Sequence, residues 1–495
     1  MERFRSALGV GALCVLGLWP HAYVLPLWPE SRDAVLWVGR GAPTNSGWLN
    51  WVFLSDHFIG WRPVTALSYS LDALVAGFAA WPYRVTDLGL HALCGVLVYL
   101  VFRSWQPTLP RWGGAVATAV LLAHPVSGLV VPHLARRAYP LSVAFGLTAM
   151  LLALHRPGRS ALLLGALLFA AGANETAFLY FPVVAWLLHS RLEREVWRTR
   201  VGWMAVAVLV LVSLRFAVLG GLGGYRVAAG SRVGPIAGSL LEGLLGGAVL
   251  RSDVPGFPVW LTAVLAAVGC AGLLVLRKSA AEPTVVCTAW IALAVALISS
   301  QGVYFPRQVY AVLPPFALLV GIAMAQRRVT FVLCAAAVLV GVVWQSPVLR
   351  GPDPLQQAGW RAHDALMRDL VADLGGLPRS ALVHAVIPAY RRFEPDALRA
   401  RGPEEERFQG RQAAMWATMV TGVRFGGIAL ISAEPGEALL ASLEGHAARI
   451  GGGHAVVVTE AMREDGDLVR PASIEPGSWL YAHDGKVGHL VRLTP

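Results

Sequence analysis

The sequence predicts a polytopic α-helical membrane protein followed by a C-terminal soluble α/β domain, on three observations. Hydrophobic residues make up 56% of the 495 and charged residues 14%, too few charges to cover the surface of a soluble fold of this size. The apolar residues fall in runs of about 18–22, the length a helix needs to cross roughly 30 Å of hydrocarbon. Charge also divides near residue 350: residues 1–349 hold 25 Lys and Arg against 12 Asp and Glu, and residues 350–495 hold 16 against 18. The basic excess belongs to the membrane part, where arginines flank helices. No nucleic-acid partner is needed to explain the net charge of +11.

The membrane part, residues 1–350, is expected to hold ten to twelve spans. The runs lie at 7–27, 87–102, 113–131, 139–154, 161–173, 175–188, 202–219, 257–276, 283–300, 309–325 and 329–347. The first follows Met1-Glu-Arg-Phe-Arg5 and lacks a small-x-small cleavage site, so it reads as a retained helix with its basic end in the cytoplasm. Residues 28–86 form a long first outer loop. Within it Trp48-Leu-Asn-Trp51 and Ala66–Trp81 read as amphipathic helices on the membrane interface, where Trp and Tyr gather. Runs 161–173 and 175–188 are each too short to cross alone, and Gly172-Ala-Asn-Glu175 between them suggests a hairpin returning to its starting side. With that hairpin Arg103, Arg111, Arg156, Arg159, Arg191, Arg194, Arg198, Arg200, Arg277, Lys278, Arg327 and Arg328 all fall on cytoplasmic connections. The expected setting is a bacterial cytoplasmic membrane, with the C-terminal domain outside the cytoplasm.

That domain, residues 351–495, begins at Gly351-Pro-Asp-Pro354. Trp360, Leu366, Leu370 and Leu374 recur on one helical face. Runs 381–388, 426–432 and 454–459 read as strands, and Trp479–Ala482 with Val487–Leu493 as a hairpin across His483-Asp-Gly-Lys486. No Walker loop, GxGxxG or nucleophile elbow occurs in it. Cys14, Cys94, Cys270, Cys287 and Cys334 lie in apolar runs without metal-ligand spacing and read as packing residues.

Acids are scarce enough to count. Glu30, Asp33, Asp56, Asp72, Asp87, Glu242 and Asp253 fall on the outer side, with Glu175 at the hairpin, so an outer general base comes from these or from a histidine. Arg62, Arg84, Arg136, Arg137, Arg226, Arg232, Arg251 and Arg307 run against the positive-inside trend. Their forked guanidinium groups suit phosphate, lipid headgroups or the nearby acids. Arg215, inside the seventh run, calls for a partner or a polar cavity.

Six short segments, in one order, carry a resemblance. Trp61-Arg-Pro-Val-Thr65, followed by Ser68-Tyr-Ser-Leu-Asp72, is similar to a "YRPLT" segment. Tyr83-Arg-Val-Thr-Asp87 with Leu90-His-Ala-Leu93 is similar to "HLTNLLLHAL", which places His91 on its later histidine. His124-Pro-Val126 running to Arg137 resembles "HPVHxEAVAWxxGR", and Asn174-Glu-Thr-Ala177 resembles "KETA". Leu214-Arg-Phe216 matches a span arginine, and Phe305-Pro-Arg-Gln-Val-Tyr310 echoes "AERYLYLP". The family so resembled is the transmembrane-and-TPR protein O-mannosyltransferases of the GT-C superfamily, which use lipid-linked sugars. The departures are Leu129 where that family has a second-loop glutamate, Pro306 for the acid before Arg307, Asn174 for the lysine before Glu175, and no TPR repeats.

The resemblance implies a glycosyltransferase that moves a sugar from a polyprenyl-phosphate donor to a protein or glycan acceptor at the outer face. It implies Asp33 as catalytic base with Glu30 as helper or metal ligand. It implies Arg62 and Arg137 on the donor phosphate, and His91, His124, Glu175, Arg215, Arg307 and Tyr310 as further substrate-binding residues. No cofactor is assigned, and a divalent metal stays open. Two other readings remain: a non-catalytic GT-C-like scaffold, favoured by Leu129, and a transporter or flippase, which would favour inverted repeats that this chain does not show.

Overall fold

A computed structural model describes residues 2–28, 32–41, 47–55, 60–220, 238–240, 243–244, 278–300, 305–326, 339, 342, 346–351, 354–378, 381–388, 416–417, 420–421, 424–431, 461–462, 468–469, 479–483 and 488–492. The chain divides into two compact units. One comprises residues 1–25, 41–75 and 82–353; the other comprises residues 26–40, 76–81 and 354–495.

The first unit is a helical bundle. Among the described residues, four helical segments are long and apolar enough to cross a membrane: Ala80–Trp105, Leu134–His155, Arg194–Leu219 and Pro306–Ala325. Shorter apolar helices run over Leu8–Val24, Arg111–Ala123, Ser160–Ala173 and Glu282–Ile298. The protein is therefore a polytopic integral membrane protein. Of the expected spans, 257–276 and most of 329–347 lie outside the described residues.

Several boundaries move, each for a local reason. Helix α1 (Glu2–Leu18) gives way to a 3-10 turn at Trp19–Val24, because Pro20 has no N–H to continue the α-helical ladder. In the first loop α2 (Arg32–Gly41), α3 (Trp48–Leu54) and α4 (Pro63–Ala76) form. The expected single helix Ala66–Trp81 is cut at Gly77, whose φ of 57° is a left-handed helix stop. Helix α5 (Ala80–Trp105) starts seven residues before the expected span, drawing Tyr83 and Arg84 out of the loop and into the helix. Helix α6 (Arg111–Ala123) stops short of residue 131, because His124 precedes Pro125 and takes an extended ψ of 137°. One further turn, α7, covers Ser127–Val130.

Helices α8 (Ala138–His155), α9 (Ser160–Ala173), α10 (Tyr180–His189) and α11 (Arg194–Leu219) follow, with α12 (Lys278–Ser300) and α13 (Val309–Ala325). A short α14 covers Pro347–Arg350. Helices α6 and α13 meet through small residues. A methyl group on Gly113 would stand 2.8 Å from both Ala325 Cβ and the Gly321 carbonyl. Gly113 with Ala117 and Gly321 with Ala325 are i, i+4 pairs, the pattern that lets helix backbones approach. The Arg200 guanidinium donates to the Pro157 carbonyl (2.5 Å), and Trp197 Nε1 donates to Ala185 O (2.9 Å). The α8–α9 connection and the α10–α11 turn thus share one end of the bundle, so α9 and α10 go out and come back.

In the second unit α15 (Pro354–Leu374) accompanies a four-stranded sheet in the order β2-β1-β5-β6. Here β1 is Leu382–Pro388, β2 Arg424–Ile431, β5 Trp479–His483 and β6 Gly488–Arg492. Strand β1 runs parallel to β2 and β5, and β5 pairs antiparallel with β6. Two-residue strands β3 (Ala461–Met462) and β4 (Leu468–Val469) form a separate pair. The expected strand at 454–459 lies outside the described residues. Helix α2, from the first loop, lies mostly within this unit, and its residues Ala34–Val38 are all buried. A helix buried along five consecutive positions is covered on every side.

Candidate functional site

The break between α9 and α10 creates one half-open polar cluster. Asn174 has an extended backbone (φ −155°, ψ 141°), and its side chain accepts from the Thr176 N–H (3.0 Å) and hydroxyl (2.8 Å). The Thr65 hydroxyl donates to the Ala173 carbonyl (2.9 Å), which ties α4 to the break. Glu175 opens the 3-10 turn that follows. Arg62, just before Pro63, places its fork on that carboxylate, with Nε 3.1 Å from Oε2 and Nη2 2.8 Å from Oε1. Arg215 comes from α11, with Nη1 3.8 Å from Oε2. The side chains of Arg62, Glu175 and Arg215 are 21%, 26% and 10% exposed, so the cluster is reachable from outside the bundle. Both Glu175 oxygens thus carry a hydrogen bond from Arg62, and Arg215 adds a second cation beside Oε2. Three expected site residues, far apart in sequence, therefore meet here.

Arg137 does not join them. It is fully buried, with Nε 2.5 Å from Asp87, Nη1 2.6 Å from Asp72 and Nη2 2.8 Å from the Tyr83 carbonyl, and it lies 4.2 Å from the Tyr69 ring centre. Its fork is occupied by two carboxylates and a backbone oxygen. The residue expected on the donor phosphate stands here as a clamp joining α4, α5 and the start of α8. Beside it the buried Arg84 donates to the Pro132 carbonyl (2.6 Å), and the Tyr69 hydroxyl donates to Leu134 O. Sequence reasoning missed this network. A signal was present: Ser68 with Asp72 and Tyr83 with Asp87 are i, i+4 pairs on either side of the Gly77 stop.

The histidines and Tyr310 are also interior residues. His91 Nε2 lies 3.3 Å from the Leu122 carbonyl, which can only accept, so Nδ1 accepts from the Tyr310 hydroxyl at 2.8 Å. His124 repeats the pattern, with Nε2 on Leu244 O (3.1 Å) and Nδ1 accepting from the Val126 N–H (3.2 Å). Both rings and Tyr310 are fully buried with these atoms engaged, so here they link helices. Arg307 is half-buried in the turn before α13, stacked 4.2 Å over the Phe305 ring. Asp33 is the second residue of α2, and Glu30 lies outside the described residues. Among the described residues no group of three or more His, Cys, Asp or Glu is placed to hold a metal ion.

No family model matches the chain. Protein O-mannosyl-transferase Tmtc1 of Drosophila melanogaster is 35% identical over 78 residues, which are 16% of this chain and 9% of that protein. The chain is similar to an O-mannosyltransferase there. The match therefore spans under a tenth of the length of that relative. Among solved structures, ArnT from Cupriavidus metallidurans in the apo state is similar at a TM-score of 0.41 and 14% identity, over 91% of this chain and 80% of that one. ArnT bound to undecaprenyl phosphate gives 0.42 and 14%, over 90% and 80%. The Archaeoglobus fulgidus oligosaccharyltransferase with Zn and sulfate gives 0.43 and 11%, over 84% and 62%.

Proposed function

We propose that the chain is a GT-C-type glycosyltransferase that takes a sugar from a polyprenyl-phosphate donor at the outer face of a bacterial cytoplasmic membrane. In this reading residues 351–495 are an extracytoplasmic α/β domain, and the acceptor is a protein or glycan. The observation that carries it is the Arg62–Glu175–Arg215 cluster, where two guanidinium groups share one half-exposed carboxylate at a broken helix. Such a pair of forks can take a phosphate alongside Glu175 or in its place.

The reaction balances with residues of this chain. The acceptor oxygen attacks the anomeric carbon, the bond from that carbon to the phosphate oxygen breaks, and the proton passes to the base. Asp33 is proposed as that base, with Glu30 as its helper, from the resemblance of the first outer loop. Arg62 and Arg215 stabilise the charge that develops on the leaving phosphate. Arg307 remains a candidate for the same anion.

Transfer by purified protein from a panel of polyprenyl-phosphate sugars tests this. Asp33→Asn keeps the size and removes the basic oxygen, so turnover should fall by about a hundredfold or more at unchanged folded yield. Arg62→Lys keeps the charge and loses the fork, so the donor KM should rise. Turnover of Asp33→Asn at the parent rate would remove the base assignment. A second reading, a non-catalytic scaffold, is favoured by Leu129 standing where the resembled family has an acid. Undecaprenyl phosphate binding without transfer from any donor would select it.

A further inference from the structure

Within the second unit, two side chains of α15 hold the backbone of the first loop. Asp364 and Arg368 are i, i+4 neighbours paired through Oδ2 and Nε at 2.7 Å. Asp364 Oδ1 also accepts the N–H of Trp28 at 2.7 Å, and Arg368 Nη2 donates to the carbonyl of Pro26 at 2.6 Å. The Arg368 guanidinium lies 5.0 Å over the Trp28 ring. Trp28 in turn packs on the buried Trp416 (5.3 Å between centroids), which Phe78 meets edge-on at 5.7 Å. One charged pair thus grips the C=O before Leu27 and the N–H after it. It binds main-chain atoms of Pro26 and Trp28, so it fixes the path of the chain ahead of α2.

We propose that Asp364 and Arg368 are positioning residues. They latch residues 26–28, and through that hold α2, the helix on which Asp33 sits. The latch stands on contacts within one unit; its bearing on turnover rests on the glycosyltransferase reading. Asp364 is 8% exposed, and a buried carboxylate without its partners is costly, so the latch closes as a whole or not at all. Donor binding, assigned to Arg62 and Arg215, does not depend on it.

The experiment is amide hydrogen exchange on the full chain in detergent or nanodiscs, with transfer kinetics beside it. Asp364→Ala and Arg368→Ala should each speed exchange across residues 26–41 by about tenfold or more, since hydrogen bonds to charged groups are at stake. Exchange in α8 and α13 should not change. Asp364→Asn keeps an acceptor for the Trp28 N–H and should recover part of the protection. In the same variants kcat should fall while donor KM stays, a split that a general loss of folded protein would not give. Unchanged exchange over 26–41 in both alanine variants overturns the latch. Lost protection with an unchanged kcat overturns the positioning role. A parent enzyme inactive on every donor counts against the glycosyltransferase reading alone, because exchange decides the latch without it.

Discussion

Arg62 and Arg137 are alike as letters: both are outer arginines near the membrane, and both stand in segments that resemble one family. Their surroundings give them opposite work. Arg137 is sealed between Asp72, Asp87 and the Tyr83 carbonyl, while Arg62 shares Glu175 at a half-exposed break. Removing one partner of a buried ion network leaves the other charges stranded, so Arg137→Met should lower stability by about 3–5 kcal/mol. Thermal unfolding in detergent would read it. Combining it with Asp87→Asn should cost less than the sum of the two changes, because the residues share one network. Strict additivity would mean that the clamp is not a unit. The sequence showed that outer arginines exceed outer acids but not which acids fold inward. Asp72 and Asp87 meet Arg137 only because Gly77 ends α4 and α5 begins early. His91 and His124 were no easier to place, since a buried histidine bonded at both nitrogens and a ligand-binding one have the same local sequence.

Hydrophobic runs revealed the helices, because a run of apolar residues is itself the physical requirement for crossing hydrocarbon. Their ends were less legible where polar residues continue a helix, as with Tyr83–Asp87 at the start of α5. The α9–α10 pair was read as a hairpin from two short runs with Gly172-Ala-Asn-Glu175 between them, and the bonds of Arg200 to Pro157 and Trp197 to Ala185 put its open ends at one end of the bundle. The pair therefore makes a topological prediction. Single cysteines at Gly158→Cys and Ser190→Cys, on a background lacking the five natural ones, should be labelled by an impermeant reagent from the same side of the membrane. Labelling from opposite sides would mean that α9 and α10 cross in succession, and every later connection would change sides.

At the scale of the whole chain, composition shifts near Gly351, and the second unit's main segment starts at Pro354. That shift could not mark the pieces at 26–40 and 76–81 that belong with the segment, because their partners lie hundreds of residues away and leave no local pattern. The second unit thus holds more of the chain than residues 354–495. A fragment of 354–495 should unfold less cooperatively than the same fragment with residues 26–40 joined by a flexible linker, in thermal or urea melts. Equal cooperativity would show that the loop pieces are passengers. The latch also has a consequence for synthesis. Trp28 leaves the ribosome 336 residues before Asp364. At roughly 5–20 residues per second, that is a wait of about 20 seconds to a minute. Throughout it residues 26–28 lack the side chains that hold them in the finished protein. A nascent chain is thus most exposed to chaperones and proteases at its beginning, and a premature stop beyond the bundle would leave its damage near the N-terminus.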